Sequence, residues 1–256
     1  MRFVAGEHGS IQGAVERDMG YPKPRVVDWD GDGLLDIITG DVMGRQTFYR
    51  NVGTPDRPVL AAGEPITVEG VETPFSWRNQ PGAVDWDGDG LIDLVLPDRE
   101  NNLRLFLRYR DPADGQLKLK PGRLLPTSDG GFAHGDPLGY GREQTEVVDW
   151  EENGKWDIFV GCCQYILYYK NVGTNEDPLF EPMRKLAVRG EVIDMAVHEV
   201  SVAAVDWDSD GDLDLVLCSE AGWIHLLRRA YFDAPPAVTI TGVEGQQGIN
   251  DPAAVH

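Results

Sequence analysis

The chain has little cysteine, few basic residues and no long apolar run. Its three cysteines do not make a disulfide framework. No segment approaches the ~20 apolar residues of a membrane span, and the first residues show no apolar stretch typical of a signal peptide. Lys and Arg number 23 against 43 Asp and Glu, which gives a net charge of -20. We therefore expect no nucleic-acid partner, because phosphate binding requires a basic face.

What the sequence does contain is one acidic nonapeptide present four times, each copy directly after a short apolar run. Acidic or amide side chains stand at positions 1, 3, 5 and 9, where the carboxylates would repel one another unless a hard cation lay among them. Ca2+ accepts about six to eight oxygen ligands in a flexible cage, and a glycine at position 6 permits the tight turn. We therefore predict up to four Ca2+ ions, in loops 28–36, 85–93, 149–157 and 206–214.

The predicted metal ligands are the residues at positions 1, 3, 5, 7 and 9 of each loop. Loop three has Glu151 at position 3 and Asn153 at position 5, which lengthens one ligand and removes one charge. We therefore expect loop three to bind calcium most weakly. The full predicted set is Asp28, Asp30, Asp32, Leu34, Asp36, Asp85, Asp87, Asp89, Leu91, Asp93, Asp149, Glu151, Asn153, Lys155, Asp157, Asp206, Asp208, Asp210, Asp212 and Asp214.

The motif begins like an EF-hand loop, which requires a bidentate Glu at position 12 and a helix on each side. Position 12 is instead Thr39, Leu96, Val160 or Leu217. Short β-rich runs flank every loop. Each loop is therefore predicted to close a β-hairpin whose second strand begins at the position-9 aspartate.

The loops recur at a spacing that indicates one supersecondary unit per repeat. Their first aspartates are 57, 64 and 57 residues apart, and all-β repeats of about 50 residues are typical of propeller blades. Tyr49-Arg-Asn-Val-Gly-Thr54 reappears as Tyr169-Lys-Asn-Val-Gly-Thr174, which predicts a third strand running into a turn. Fourth strands are predicted near Pro58-Val-Leu60 and Pro178-Leu-Phe180.

With these motifs the chain resembles the FG-GAP or VCBS repeat family, the calcium-loop propeller blades also found in integrin α-subunits. The resemblance covers about residues 15–245. It implies four-stranded antiparallel blades around a central axis, with Ca2+ held between the first two strands of each blade. We therefore expect an all-β fold and a single β-propeller domain over residues 1–256, with four readable blades.

Family propellers usually have about seven blades, so a longer parent chain with further blades or domains is one of the alternatives. The calcium loops and the resemblance favour an extracellular or periplasmic location. A tryptophan stands at position 2 of every loop, and its recurrence predicts a packing role between blades. These residues are Trp29, Trp86, Trp150 and Trp207.

The segments before the predicted inner strands differ from blade to blade, and in this family they approach the propeller axis. On an acidic protein, the arginine, histidine and aromatic side chains there would form a basin that suits an anionic or hydroxyl-rich ligand. The alternative is that the arginines pair with glutamates across the axis, namely Glu143, Glu146 or Glu199. The predicted ligand-binding residues are Tyr21, Trp77, Arg78, Tyr140, Arg142 and His198.

Three classes of function remain open on the sequence. The first is a calcium-stabilised module that binds a glycan or protein ligand at the axial face. The second is a lyase that cleaves uronate-containing polysaccharide by β-elimination; the catalytic residues would be Arg78 and Arg142, His198 as base and Tyr140 as acid. No lyase-specific motif supports it, so it rests on fold analogy. The third is a non-catalytic scaffold fragment of a larger propeller.

Overall fold

The fold is built almost wholly from short, mostly antiparallel strands. The computed structural model of the chain describes residues 22–72, 75–136, 141–162, 164–195 and 199–233. Within these ranges the only helix is the short segment Arg229–Asp233. No helix in the described ranges is both long and apolar enough to cross a bilayer. The expectation of an all-β chain is confirmed.

Four sheets follow one another along the chain, and each begins with a hairpin that carries an acidic loop. Sheet I contains Lys23–Val27, Asp36–Gly40, Gln46–Tyr49 and Glu64–Pro65. Sheet II contains Gly82–Val84, Asp93–Pro97, Leu103–Phe106 and Arg123–Leu124. Sheet III contains Gln144–Val148, Asp157–Cys162, Tyr165–Tyr169 and Arg184–Lys185. Sheet IV contains, in the described part of the chain, Val200–Val205, Asp214–Ser219 and Ile224–Leu227.

The first two strands of every sheet pair antiparallel across the acidic loop. The pair nearest the loop joins a valine to the position-9 aspartate in each case: Val27 with Asp36, Val84 with Asp93, Val148 with Asp157, and Val205 with Asp214. Each of these aspartates is the first residue of its second strand. The predicted hairpin and its predicted boundary are therefore confirmed four times.

The fourth strands of sheets I and III lie further along the chain than predicted. The predicted segments form only isolated bridges, Asn51 with Leu60 and Asn171 with Phe180. The turn after the third strand is the reason, because the Asn51 side-chain oxygen accepts hydrogen bonds from the N–H groups of Gly53 and Val59. This compact loop must end before the chain can rejoin the sheet, at Glu64–Pro65 and Arg184–Lys185.

An additional sheet combines a hairpin inserted between the second and third acidic loops, where the repeat spacing is longest, with a hairpin that follows sheet I. Strands Arg108–Arg110 and Leu117–Leu119 leave sheet II and join the hairpin formed by Thr67–Val68 and Val71–Glu72. A second hairpin, Ala187–Val188 with Glu191–Val192, occupies the corresponding place after sheet III. The 64-residue spacing thus contains an inserted hairpin rather than a different blade.

The first strands of successive sheets approach one another, and hydrophobic cores lie between neighbouring sheets. Gln80 and Gln144 form a parallel bridge between sheets II and III. Three clusters of buried side chains are found in the described residues, one between each consecutive pair of sheets. Burial of this apolar surface is the main force that holds separate sheets together. Residues central to the three cores are Phe48 and Leu94, Leu105 and Ile158, and Phe159 and Leu215.

The position-2 tryptophans pack as predicted in three of the four loops. Trp29, Trp86 and Trp150 are each at most 6% exposed and belong to the three cores. Trp207 is 60% exposed. Among the described residues no hydrophobic core lies on the far side of sheet IV, so Trp207 lacks the packing that covers the other three tryptophans.

We predict that Gly161→Ala destabilises the fold, because a Cβ atom there would clash with the backbone oxygen of Val200 where sheets III and IV meet. A backbone atom cannot rotate away, so a loss of about 1–3 kcal/mol in the free energy of unfolding is expected from urea titration. Gly131→Ala is the control, since its Cβ would meet only the side-chain oxygens of Thr127 and Asp129, at 3.2 and 3.5 Å. Equal losses for the two variants would contradict this account.

Candidate functional site

Each acidic loop is folded around the carboxylate at position 1. In loop one, Oδ1 of Asp28 accepts the N–H groups of Gly31 and Asp32, and Oδ2 accepts that of Gly33. The position-6 glycine donates in the same way in the other three loops, at 2.7–3.2 Å. In all four loops the side chain at position 5 accepts the N–H at position 7. These hydrogen bonds fix the direction of two of the predicted ligands.

The position-9 aspartates are buried and connect the loop to the third strand. Their exposed fractions lie between 0 and 2%. One oxygen of each accepts the N–H of a residue just beyond the third strand, namely Asn51, Arg108, Asn171 and Arg229. In the first two loops the second oxygen accepts the N–H of the position-2 tryptophan. The predicted ligand at position 9 is therefore also a structural anchor.

Three of the four loops bring carboxylates within reach of one cation. In the described residues, an oxygen from each of three aspartates lies within 4.8 Å of the others in loops one, two and four. In loop three, Glu151 accepts hydrogen bonds from Lys170 Nζ at 2.7 Å and the Tyr168 hydroxyl at 3.0 Å. Loop three thus differs from the other three in having no such triad of carboxylates among the described residues. The triads are Asp28, Asp30 and Asp32; Asp85, Asp87 and Asp93; and Asp206, Asp208 and Asp210.

The electrostatics of the loops suit a divalent cation. Burial raises the pKa of Asp93 to about 7, and the neighbouring charges of Asp87 and Asp89 add to that rise. Burial likewise raises the pKa of Asp157 to about 6. Oδ2 of Asp214 is buried and accepts no hydrogen bond from the described residues. A hard cation would supply the counter-charge, and the all-oxygen donor set is the one Ca2+ prefers, so these residues fit the predicted ion.

A second special backbone position went unnoticed in the sequence. Position 4 has a left-handed conformation in every loop, with φ of 78° at Gly31, 76° at Gly88, 53° at Glu152 and 59° at Ser209. Glycine adopts this conformation without strain, whereas a residue with a Cβ atom is strained by roughly 1 kcal/mol. Loops three and four therefore hold a less favourable backbone than loops one and two. In the sequence, the glycines at both position 4 and position 6 of the first two loops indicate this second left-handed position.

Two arginines that precede different sheets converge on one tryptophan. The guanidinium carbon of Arg78 lies 4.5 Å from the centroid of the Trp77 ring, and that of Arg142 lies 5.2 Å from it. The backbone N–H of Arg142 donates to the carbonyl of Trp77. The structure therefore brings together three of the six residues predicted to bind a ligand. The other three, Tyr21, Tyr140 and His198, lie outside the described residues.

Ion pairs connect the first strands beside this cluster. Lys23 Nζ lies 2.6 Å from Glu199 Oε1 and donates to the carbonyl of Arg142. Arg25 lies 2.6 Å from Glu146 Oε2. Burial lowers the pKa of Lys23, against the opposing effect of the Glu199 carboxylate. These pairs join sheet I to sheets III and IV. Two of the three glutamates considered as partners for Arg78 and Arg142, Glu146 and Glu199, are therefore paired with Arg25 and Lys23 instead.

Glu143 is a buried acid within the same polar cluster. It is fully buried and accepts a hydrogen bond from the Ser76 hydroxyl at 2.9 Å. Its second oxygen, Oε1, has no hydrogen-bond partner among the described residues. Burial raises the pKa of Glu143 to about 7. The side chain is therefore close to half protonated at neutral pH.

Two further arginines that the sequence did not single out clamp position-2 tryptophans. The guanidinium carbon of Arg108 lies 3.8 Å from the centroid of Trp29, and that of Arg229 lies 4.2 Å from that of Trp150. Each also donates to the backbone carbonyl of the tryptophan that it covers. Burial lowers the pKa of Arg108 to about 10, a value at which it stays charged at neutral pH. In the sequence, these two arginines could have been recognised by their equivalent positions, because each stands 15 residues after a position-9 aspartate.

Comparison with known proteins is informative for one segment. The family model described as FG-GAP-like repeat matches residues 28–96. This segment runs from the first acidic loop through most of the second strand of sheet II, so it contains two acidic loops in full. A search of curated proteins finds no match to this chain. The comparison supports an FG-GAP-like repeat and thus the repeat architecture derived from the loops.

We predict that Glu143→Gln flattens the dependence of stability on pH. A glutamate in the unfolded chain titrates near ~4.3, whereas Glu143 titrates near 7 in the fold. Between these values the folded state binds more protons, so the free energy of unfolding falls as pH rises. Glutamine does not titrate, so the variant should not show this fall in the free energy of unfolding. Urea titrations at about one-unit steps from pH 5 to pH 8 span the window and would measure the difference. The exposed Glu100→Gln is the control, and parallel profiles for wild type and Glu143→Gln would refute the assignment.

Proposed function

We propose that the chain is a calcium-stabilised β-propeller binding module that recognises a glycan or protein ligand at the axial face. The observation that carries the proposal is the convergence of Arg78 and Arg142 on Trp77, because these residues precede different sheets. Arg78 and Arg142 are 64 residues apart in sequence, and their meeting is what sheets arranged around a common axis would produce. The FG-GAP-like repeat at residues 28–96 supports the same arrangement.

Calcium would have a structural task in this module. The carboxylates at positions 1, 3, 5 and 9 would hold it, with the residue at position 7 completing the set. When bound, the ion would supply positive charge that removes the repulsion among the carboxylates of a hairpin turn. The chain's own residues already shape each turn, through the position-1 and position-9 hydrogen bonds. Calcium would therefore stabilise a preformed loop. A calcium-rich extracellular or periplasmic setting is part of this proposal.

The axial cluster offers the chemistry for an anionic or hydroxyl-rich ligand. Trp77 is half-buried and presents an aromatic surface flanked by the two guanidinium groups. Guanidinium groups form directed hydrogen bonds to carboxylates and hydroxyls, and an indole ring stacks on the apolar face of a sugar. Glu146 and Glu199 are held by Arg25 and Lys23, so two of the nearby carboxylates do not compete for the two arginines.

The lyase alternative requires His198 as base and Tyr140 as acid. Both residues lie outside the described part of the chain, and no described residue favours elimination over binding. The scaffold alternative gives no reason for two arginines to meet at one tryptophan. Binding is therefore the function that the described residues support best.

We predict that removal of calcium lowers the melting temperature. A ligand that binds only the folded state stabilises it by about 2.7 kcal/mol at a concentration of 100 times Kd, and each kcal/mol corresponds to roughly 2–4 °C for a chain of this size. Exhaustive chelation should therefore lower the Tm measured by calorimetry by roughly 5 °C or more. An unchanged melt with metal loss verified by elemental analysis would contradict the structural role of calcium.

We predict that Arg78→Asn and Arg142→Asn abolish ligand binding and leave the calcium-dependent melt unchanged. Asparagine removes the guanidinium group and tolerates the left-handed φ of 55° and 75° found at these positions. Binding would be measured on a glycan array and with acidic oligosaccharides in solution. The exposed Arg99→Asn is the matched control. Full binding by both axial variants would refute the axial site, and release of an unsaturated uronate by wild type would establish the lyase instead.

A further inference from the structure

The carboxylate at loop position 3 has a basic partner in three of the four loops. Arg50 lies 3.0 Å from Asp30, Lys170 lies 2.7 Å from Glu151 and Arg228 lies 2.5 Å from Asp208. All three cations occupy the same place in their repeats. Each directly precedes the residue whose N–H group binds the position-9 aspartate. The recurrence indicates a position with a shared task rather than three unrelated surface ion pairs.

Loop two departs from this pattern. The residue before Arg108 is Leu107, which packs against the core between sheets II and III. Among the described residues, Asp87 at position 3 therefore has no ion-pair partner. It nevertheless lies within 4.8 Å of carboxylate oxygens from Asp85 and Asp93. Loop two is thus the one acidic loop in which no described cation pairs with the position-3 carboxylate.

Position 3 is where such a partner would matter most. The position-1 carboxylate binds the N–H groups of its own turn, and the position-9 carboxylate binds the third strand. Both are committed to the fold before any ion arrives. The position-3 carboxylate has fewer such bonds, so its charge is the one most available to a cation. A basic side chain at this carboxylate occupies one of its oxygens and adds positive charge close to the ion.

We propose that Arg50, Lys170 and Arg228 act as built-in counter-charges that weaken calcium binding in loops one, three and four, and that loop two is the chain's tightest calcium site. The inference rests on the proposed calcium loops and adds the order of their calcium affinities. At a separation of about 6 Å and a water-like dielectric constant, one unit charge changes the affinity for a divalent ion by on the order of tenfold. Loops one, three and four should accordingly keep their shape better than loop two when calcium is removed.

The first test identifies the tightest class of sites by calorimetric titration of the full chain with Ca2+ at low salt. Asp87→Asn should remove that class, because it neutralises the position-3 ligand of loop two and Asp87 makes no described hydrogen bond whose loss would unfold the loop. Asp30→Asn is the matched variant in loop one and should leave the tightest class intact. Loss of the tightest class in Asp30→Asn, or its survival in Asp87→Asn, would overturn the order.

The second test moves the counter-charge. Leu107→Arg should weaken the tightest class by about tenfold, whereas Leu107→Met, which keeps an apolar side chain of similar size, should not. Arg50→Met should tighten a weaker class by a similar factor, and the exposed Arg99→Met should change neither. The differences should shrink at high ionic strength, since salt screens them.

The counter-charge role and calcium binding by the loops can fail separately in these tests. A partner that merely orients the position-3 carboxylate would raise calcium affinity, so weaker binding in Arg50→Met would overturn the counter-charge role while leaving calcium binding intact. Absence of calcium uptake by wild type would overturn the calcium loops themselves. Circular dichroism of each variant verifies that it is folded before its affinity is compared.

Discussion

The fold depends on the buried aspartate at position 9 of each acidic loop. An isolated carboxylate is costly to bury, and here its burial is offset because it accepts a backbone N–H group from just beyond the third strand, at 2.7 Å from Asn51 in the first sheet and from Asn171 in the third. One side chain thus fixes where the hairpin ends, where the second strand begins and how the third strand leaves the sheet. The same aspartate also pairs with the valine at the end of the first strand in all four sheets, so it joins the acidic loop to the register of the hairpin.

The repeats are related in pairs rather than singly. The first residues of loops one and three are 121 positions apart, as are those of loops two and four, and so are Arg108 and Arg229. The residue beyond the third strand is asparagine in sheets I and III, where it closes its own turn, and arginine in the other two, where it clamps the tryptophan of the preceding sheet. Between the pairs the contact is different, because Trp156 donates to the carbonyl of Trp86. The contacts between neighbouring sheets therefore alternate, with an arginine over a tryptophan between sheets I and II and again between sheets III and IV.

The hairpins and their boundaries could be predicted from the sequence because loop chemistry and β-rich flanks are local signals. The fourth strands of sheets I and III were displaced because Asn51 and Asn171 organise compact turns through side-chain hydrogen bonds, which a strand pattern does not encode. The arginine clamps were missed because a buried arginine resembles a surface one until its tryptophan partner is placed across a sheet boundary. The meeting of Arg78 and Arg142 was predictable in outline, since both precede an inner strand by a similar distance. The pairing of Lys23 with Glu199 was not, because it depends on how sheets I and IV lie relative to each other.

The geometry of the inner strands also separates the two sites. In sheets I and III the first strand leads from the cluster around Trp77 to the acidic loop over five residues, Lys23–Val27 and Gln144–Val148, which corresponds to about 17 Å of extended chain. A cation bound in the loop of sheet I or sheet III would therefore lie more than a Debye length, about 8 Å, from a ligand bound at Trp77, and it could not share an oxygen with that ligand. Any effect of calcium on axial binding must therefore pass through the rigidity of the strands. The axial arginines, and not the metal, would have to supply the charge that an anionic ligand meets.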